Sequence, residues 1–249
     1  MRARRRGWGV NRAVRVGGGV VADGHHGGMV KRDTVREAQL PRVTLPELRP
    51  YDGQGLEPDG DYDGLLIEDA DLAGTQASGA TFMDCGIRRC TLDEASLGSA
   101  RLFDSVLEGV RGVGVRLAGA QLRDVELRDA RLGGTQLHGA RLNRVLVRGG
   151  KFDYLNLRQA RLADVVFEGC VLVEPDLSGA ALERVAFRDC ALRRAELNQV
   201  RMKEVDLRGA TELDIVTGVE HLSGAVISTG QLMDLAPAFA AHLGVRVEF

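Results

Sequence analysis

The sequence predicts an all-β solenoid, a rod wound from many copies of one short step. Three observations carry that expectation. Every fifth residue from Ile67 to Leu207 is large and apolar, with Ala77 and Gly112 the two departures. A second ladder runs two residues ahead of the first, from Ala70 through Ala100, Ala120, Ala140 and Ala160 to Val205, and nearly all its members are small. Neither ladder changes register anywhere along that span.

A period of five fits no ordinary element. An α-helix turns about 100° per residue, so a five-residue ladder would spiral over every side of it. A strand alternates faces every two residues, so an odd spacing would send successive leucines to opposite faces. The ladder can be buried only if the chain turns a corner once per five residues, always in the same sense. Each large residue then points at a common axis, and stacked neighbours supply the core that one repeat lacks. Alternating large and small residues fill a narrow interior without voids. The Arg, Asp, Glu, Gln, Gly and Ser between the ladders suit corners and solvent.

At Ala70-Asp71-Leu72, Ala130-Arg131-Leu132, Ala140-Arg141-Leu142 and Pro175-Asp176-Leu177 the chain resembles the pentapeptide-repeat family, whose unit reads A-(D/N)-L-x-x. The resemblance extends over about 145 of the 249 residues. It implies a right-handed quadrilateral β-helix with about 20 residues per coil, hence about seven coils; the residues after the repeat add a short C-terminal helical cap. At roughly 4.8 Å per strand the rod would be on the order of 34 Å long. Arg often stands at the second position, where the family has Asp or Asn.

Four segments are expected. Residues 1–40 read as a disordered basic tail: the first 32 hold eight Lys or Arg against Asp23 alone, with a Gly17-Gly18-Gly19 run. Met29 offers an alternative start, which would leave residues 1–28 outside the native protein. Residues 41–64, with four prolines, read as a lead-in and N-terminal cap over the open sheet edge of the first coil. Residues 65–209 form the β-helix. Residues 210–249 form a C-terminal cap, with a helix over 229–243 that starts at Ser228 or Thr229 and stops at Gly244. Pro237 is expected to kink or split this helix. Leu232, Leu235, Phe239 and Leu243 make its apolar face, which either caps the last coil or makes a homodimer contact. The last five residues, Val245 to Phe249, read as a short strand.

Composition fits a thin rod, with 44% apolar residues but only 4% aromatic. The four cysteines, Cys85, Cys90, Cys170 and Cys190, all fall on the small inner ladder, where they act as small hydrophobes rather than metal ligands or disulfides. Reduced cysteines and the absence of a long apolar run point to a cytoplasmic protein with no membrane span. None of the five histidines has metal-ligand company. No phosphate-binding, nucleophile-elbow or dinucleotide motif occurs, and a filled rod offers no cleft. No enzyme activity, cofactor or metal is expected.

Residues 20 apart should stack on one face. Glu68, Arg88, Glu108, Arg128, Arg148, Glu168, Arg188 and Arg208 form a column of mixed sign, suited to fixing register. Arg101, Arg141, Arg161 and Arg201 run beside Asp84, Asp104, Asp124, Asp164 and Glu204, and the two stripes should offset each other. Arg111, Arg131 and Lys151, with Arg116 nearby, form the most basic patch. Val106, Leu146 and Val166 form an apolar outward column. It is either a binding face or the seat of the N-terminal segment or C-terminal helix.

The leading functional expectation is a rigid interaction scaffold with an unidentified protein partner. The family resemblance adds a second: some members mimic duplex DNA, bind type II topoisomerases, protect gyrase from quinolones and dimerise through C-terminal elements. A near-neutral chain, with net charge −2, argues against that mimicry. A third is direct nucleic-acid binding through Arg111, Arg116, Arg131, Lys151 and the tail, weakened by the lack of aromatic residues for base stacking.

Overall fold

The computed structural model describes residues 35–248; the tail expectation for residues 1–34 and the end of the C-terminal strand at Phe249 lie outside them. The described chain is a parallel β-solenoid of about nine turns with one C-terminal helix, α1 (Thr229–His242). All strand pairing is parallel, and through most of the rod the partner of each residue lies 20 positions on: Arg101 pairs with Gln121, Gln121 with Arg141, and Arg141 with Arg161.

Each coil has four sides, taken here from residues 101–103, 106–108, 111–113 and 116–118 and their equivalents. The first two sides belong to single long strands such as Arg101–Glu108 and Gln121–Arg128. The third side is a six-stranded sheet that includes Arg111–Val113, Arg131–Gly133 and Lys151–Asp153. The fourth is held by single bridges, such as Arg116 to Gln136 and Gln136 to Asn156.

The corners explain the period of five. Every fifth residue from Asp59 to Glu204 has a positive φ. On the fourth side the corner is a turn closed by the N–H of the small residue on the carbonyl of the large one, as in Ala120 to Leu117 (3.1 Å) and Ala140 to Leu137 (3.0 Å). A positive φ at the third residue marks a type II turn, for which glycine is the low-cost choice. Gly119 and Gly139 supply it there. Elsewhere Asp, Arg, Glu, Gln and even Tyr154 hold the same conformation, which the stacked hydrogen bonds of neighbouring coils enforce.

The bore is lined by the two ladders. Ile67, Phe82, Leu102, Leu162 and Leu172 are buried, as are Ala80, Ala100, Val125 and Val165. Phe167 and Phe187 stack one coil apart, with centroids 5.0 Å apart and planes within 4°. The gap in the large ladder at Gly112 is not empty: an added Cβ there would meet Val115 Cγ2 at 2.9 Å and the Leu92 backbone at 3.0 Å. Val115, large for the small ladder, has taken the missing volume. All four cysteines are buried and unpaired; Cys170 and Cys190 stack one coil apart. The Cys190 sulfur and burial together push the Cys170 thiol far above its ordinary range, which leaves it unreactive.

The rod has more turns than the seven expected, because winding continues beyond both ends of the strict repeat. Toward the C-terminus Ala210–Thr217 and Ala225–Val226 add rungs. The period is interrupted there by register shifts: Leu192 pairs with Leu213, 21 positions on, whereas Ala195 pairs with Ile215 at the usual 20. Toward the N-terminus Arg49–Pro50 pairs with Leu65 and Leu66. Tyr62 stacks on Phe82 at 5.1 Å.

Helix α1 runs unbroken through Pro237, so the proline does not split it. Packing against the rod offsets the one hydrogen bond that proline removes. Ser228 and Gln231 form a capping box, and Gln231 Nε2 also donates to Leu207 O (2.7 Å) and Ala210 O (3.1 Å). One buried amide therefore caps the helix and ties it to the last coils. Residues 245–248 form no strand.

Candidate functional site

The third side carries the basic column. Parallel pairing places Arg111 beside Arg131 and Arg131 beside Lys151, so the three cations stack one strand apart. Strand spacing makes each step about 4.8 Å. Beside them runs the column Val113, Gly133, Asp153, and between lie Gly112 and Leu132. Gly133 places no side chain between Val113 and Asp153, and a shallow groove of about 630 Å³ is lined there by all three cations, Thr91, Asp93 and Val113. Val113 stands 66% exposed within it. Lys151 Nζ pairs with Asp153 at 2.9 Å, and Arg111 Nε donates to Thr91 Oγ1 at 3.3 Å. Arg131 makes no ion pair among the described residues. Arg116 lies round the corner on the fourth side and turns back to donate to Glu94 O at 3.1 Å.

The apolar outward column is covered rather than free. Val106, Leu146 and Val166 are all buried. Leu146, Val166 and Ala186 form a small cluster with Ala38 packed on it. Further down, Leu45 and Leu48 lie over Gly86, where an added Cβ would meet Leu48 Cδ1 at 2.9 Å. Of the covers left open by the sequence, the N-terminal segment is the one observed.

Two acids of the stripe, Asp124 and Asp164, are paired from within their own column rather than by Arg101, Arg141, Arg161 or Arg201. The 20-residue stack reads Asp84, Asp104, Asp124, Arg144, Asp164, Arg184, Glu204, all at positive-φ corners. Arg144 forks onto Asp124 (2.6 and 2.5 Å), and Arg184 onto Asp164 (2.7 and 2.8 Å). The Arg184 fork holds the Asp164 carboxyl below the usual carboxylate range. Burial, with Asp124 and Asp84 nearby, pushes Asp104 up. Arg144 and Arg184 fall on the same count of 20 from Asp84, which is the signal in the sequence that marks them. The register column does pair in part, Arg88 with Glu108 (3.7 Å) and Arg148 with Glu168 (3.1 Å). Arg128 and Arg208 instead pair two residues back along the chain, with Glu126 and Asp206.

The predicted apolar face of α1 is divided by the structure. Leu235 is buried, and Phe239 packs against the rod core. Leu232 is 48% exposed and Leu243 is 75% exposed, with Met233 also outward.

Among the described residues no cluster of three His, Cys, Asp or Glu side chains is arranged to hold a metal ion. No helix of the described residues is long and apolar enough to cross a membrane. A parallel β-solenoid with an apolar bore and charged outer columns defines a repeat protein. Residues 80–157 match the family described as "Pentapeptide repeat region", and residues 151–189 match "Pentapeptide repeats (8 copies)". The chain is a member of the pentapeptide-repeat family. Among solved structures it is similar to a trypsin-treated variant of QnrB1, a plasmid-mediated fluoroquinolone resistance protein. That match has 16% identity, covers 80% of this chain and 95% of that one, and has a TM-score of 0.35. It is also similar to HetL, a pentapeptide repeat protein involved in heterocyst differentiation regulation in the cyanobacterium Nostoc, at 20% identity, 64% and 92% coverage and a TM-score of 0.28. A comparison with curated proteins returned no match.

Proposed function

We propose that the protein is a non-enzymatic interaction scaffold that docks a protein partner on its third side, through Arg111, Arg131 and Lys151. The observation that supports this reading is the stack of three cations on a parallel sheet beside a shallow groove. Their backbones are fixed by the coils above and below, so docking orders little that is not already ordered. Charges held in this way act mainly on association rate and partner choice. Capture from the source cells with the wild type and with an Arg111→Glu/Arg131→Glu/Lys151→Glu variant tests it. A protein retained by the wild type and lost by the variant is expected; equal capture by both would sink the reading.

The outward flank of α1, with Leu232, Met233 and Leu243, supports a homodimer contact, since Leu235 and Phe239 already serve the rod. Sedimentation of Leu232→Asp/Leu243→Asp beside the wild type should show a dimer becoming a monomer. A monomeric wild type removes this part.

Duplex mimicry would need a continuous acidic face, whereas the corner column alternates acids with Arg144 and Arg184. Direct nucleic-acid binding is opposed by Asp93 and Asp153 inside the basic groove. Its signature would be affinity falling steeply with salt.

A further inference from the structure

The cation stripe on the first side is left without the partners beside it. Asp124 and Asp164 are taken by Arg144 and Arg184, and Glu204 by Arg36 at 2.6 Å. Arg141, Arg161 and Arg201 are exposed and make no ion pair among the described residues. Parallel pairing stacks Arg141 on Arg161, Arg161 on Ala181 and Ala181 on Arg201. Arg161 and Arg201 therefore stand two strand spacings apart, about 9.6 Å, with Ala181 between them.

The next outward column also turns small at this height, reading Asn143, Ala163, Glu183, Lys203. The two alanines leave a trough of about 340 Å³ on the outside of the rod, lined by Arg161, Ala163, Ala181, Glu183, Arg201 and Lys203. Its one acid is already satisfied: Glu183 accepts from Arg184 at 2.6 Å and from Lys203 at 2.9 Å. Taken with the corner pairs beside it, the trough has five cations (Arg36, Arg161, Arg184, Arg201, Lys203) against three acids (Asp164, Glu183, Glu204). The surplus sits on the two guanidiniums that flank Ala181.

That surplus selects the ligand. A carboxylate would cancel half of it, whereas a phosphomonoester, at about −1.5 to −2 near neutral pH, cancels nearly all. The oxygens of a phosphoryl group also accept forked bonds from guanidiniums on two sides. Ala163, Ala181 and the partly buried Met202 give an apolar strip for the chain that carries it. The trough has no aromatic residue on which a base could stack.

We propose that the trough between Arg161 and Arg201 is a binding site for a phosphorylated serine or threonine on a partner polypeptide. Arg161 and Arg201 fork onto the phosphoryl oxygens from either side, and Ala181 makes the room between them. Arg141, one strand away, meets an acidic side chain next to the phosphorylated residue. The first side lies across the bore from the third, so this site and the docking reading above fail independently.

Fluorescence polarisation with the full chain tests it. The probes are labelled peptides of sequence Gly-Ala-X-Asp-Gly, with X as phosphoserine, Ser or Glu. The phosphoserine peptide should bind about tenfold more tightly than the Glu peptide, and Arg161→Gln/Arg201→Gln should remove that advantage. Ala181→Leu leaves the charge unchanged, points away from the bore and fills the trough. It should also weaken binding about tenfold, whereas a general positive field would leave affinity as it was. Arg111→Gln/Arg131→Gln on the third side should bind like the wild type. Equal affinity for the phosphoserine and Glu peptides, wild-type affinity in either first-side variant, or an equal loss in the third-side variant would each overturn the proposal. So would displacement of the probe by inorganic phosphate at matching concentration, which would assign the trough to a free anion. Tighter binding of a short DNA duplex would assign the stripe to a nucleic-acid backbone instead.

Discussion

The middle of the rod and its two ends are the same solenoid held by different chemistry. From Thr81 to Glu196 one rule repeats: a large residue inward, a small residue beside it, a corner at positive φ and a partner 20 positions away. At the ends that rule lapses and individual side chains replace it. Pro50 sits on the edge strand, where a missing N–H costs least, and Tyr62 stacks on Phe82 to close the first coils. At the other end Thr211 Oγ1 bonds Cys190 O within the shifted register, and Gln231 answers the carbonyls of Leu207 and Ala210. A repeating region can rely on its neighbours, whereas a terminus has a neighbour on one side only and needs specific polar closure.

The largest effect should come from the middle. Leu162→Ala empties a fully buried position and should cost about 2–5 kcal/mol in chemical denaturation. Because every coil stabilises the next, the loss should lower one cooperative transition. A separate early transition confined to one end would contradict this. Next comes Gly112→Leu, which drives a side chain into Val115 and the Leu92 backbone and should cost about 1–3 kcal/mol. Adding Val115→Ala should recover part of that; a double variant no better than the single would refute the volume exchange. At the C-terminal end Gln231→Ala removes two carbonyl bonds and one half of the cap, with an expected cost of about 1–3 kcal/mol. Hydrogen exchange should locate that loss in residues 229–242, with the central coils unchanged.

The smallest effect sharpens the comparison within one column. Asp164 has a depressed folded pKa, so its contribution is present above the ordinary carboxylate range and is lost as pH falls through the folded value. Asp104 has a raised folded pKa, so its contribution is present in acid and is lost as pH rises through that value. Asp164→Asn should therefore destabilise at neutral pH and lose its effect toward pH 3, while Asp104→Asn should be neutral or slightly stabilising at pH 7. Thermal unfolding at both pH values reads the two together.

The middle was legible because five-residue periodicity has one geometric solution. Burial of Leu102, Leu162 and Val165 and the stacking of Cys170 on Cys190 all follow from counting. The ends were less legible because the register slips by one near Thr211, so Leu213 pairs with Leu192 at 21 positions and falls off the large ladder, although Ile215 keeps the 20-residue step from Ala195. Helix α1 could be seen from its capping pattern and apolar spacing, yet which half of that face meets the rod depends on how it docks. The N-terminal segment was legible only as one of the covers the apolar column could take: Arg36, Ala38 and Pro41 form no periodic pattern, and their place is set by the surface they cover. The basic groove was half legible. Its cations followed from the 20-residue stack, but the gap between Val113 and Asp153 comes from Gly133, which looks unremarkable in sequence.

The 20-residue register also governs how such a chain can change length. Excising residues 121–140 would join Ala120 to Arg141, giving every later side chain the same compass bearing it had before. Excising a single quintet would instead swing everything downstream by about a quarter turn. Leu146 would then turn away from Ala38 and the cations would face another way. Growth and loss in this molecule are therefore quantised in whole coils wherever two distant levels must face the same direction.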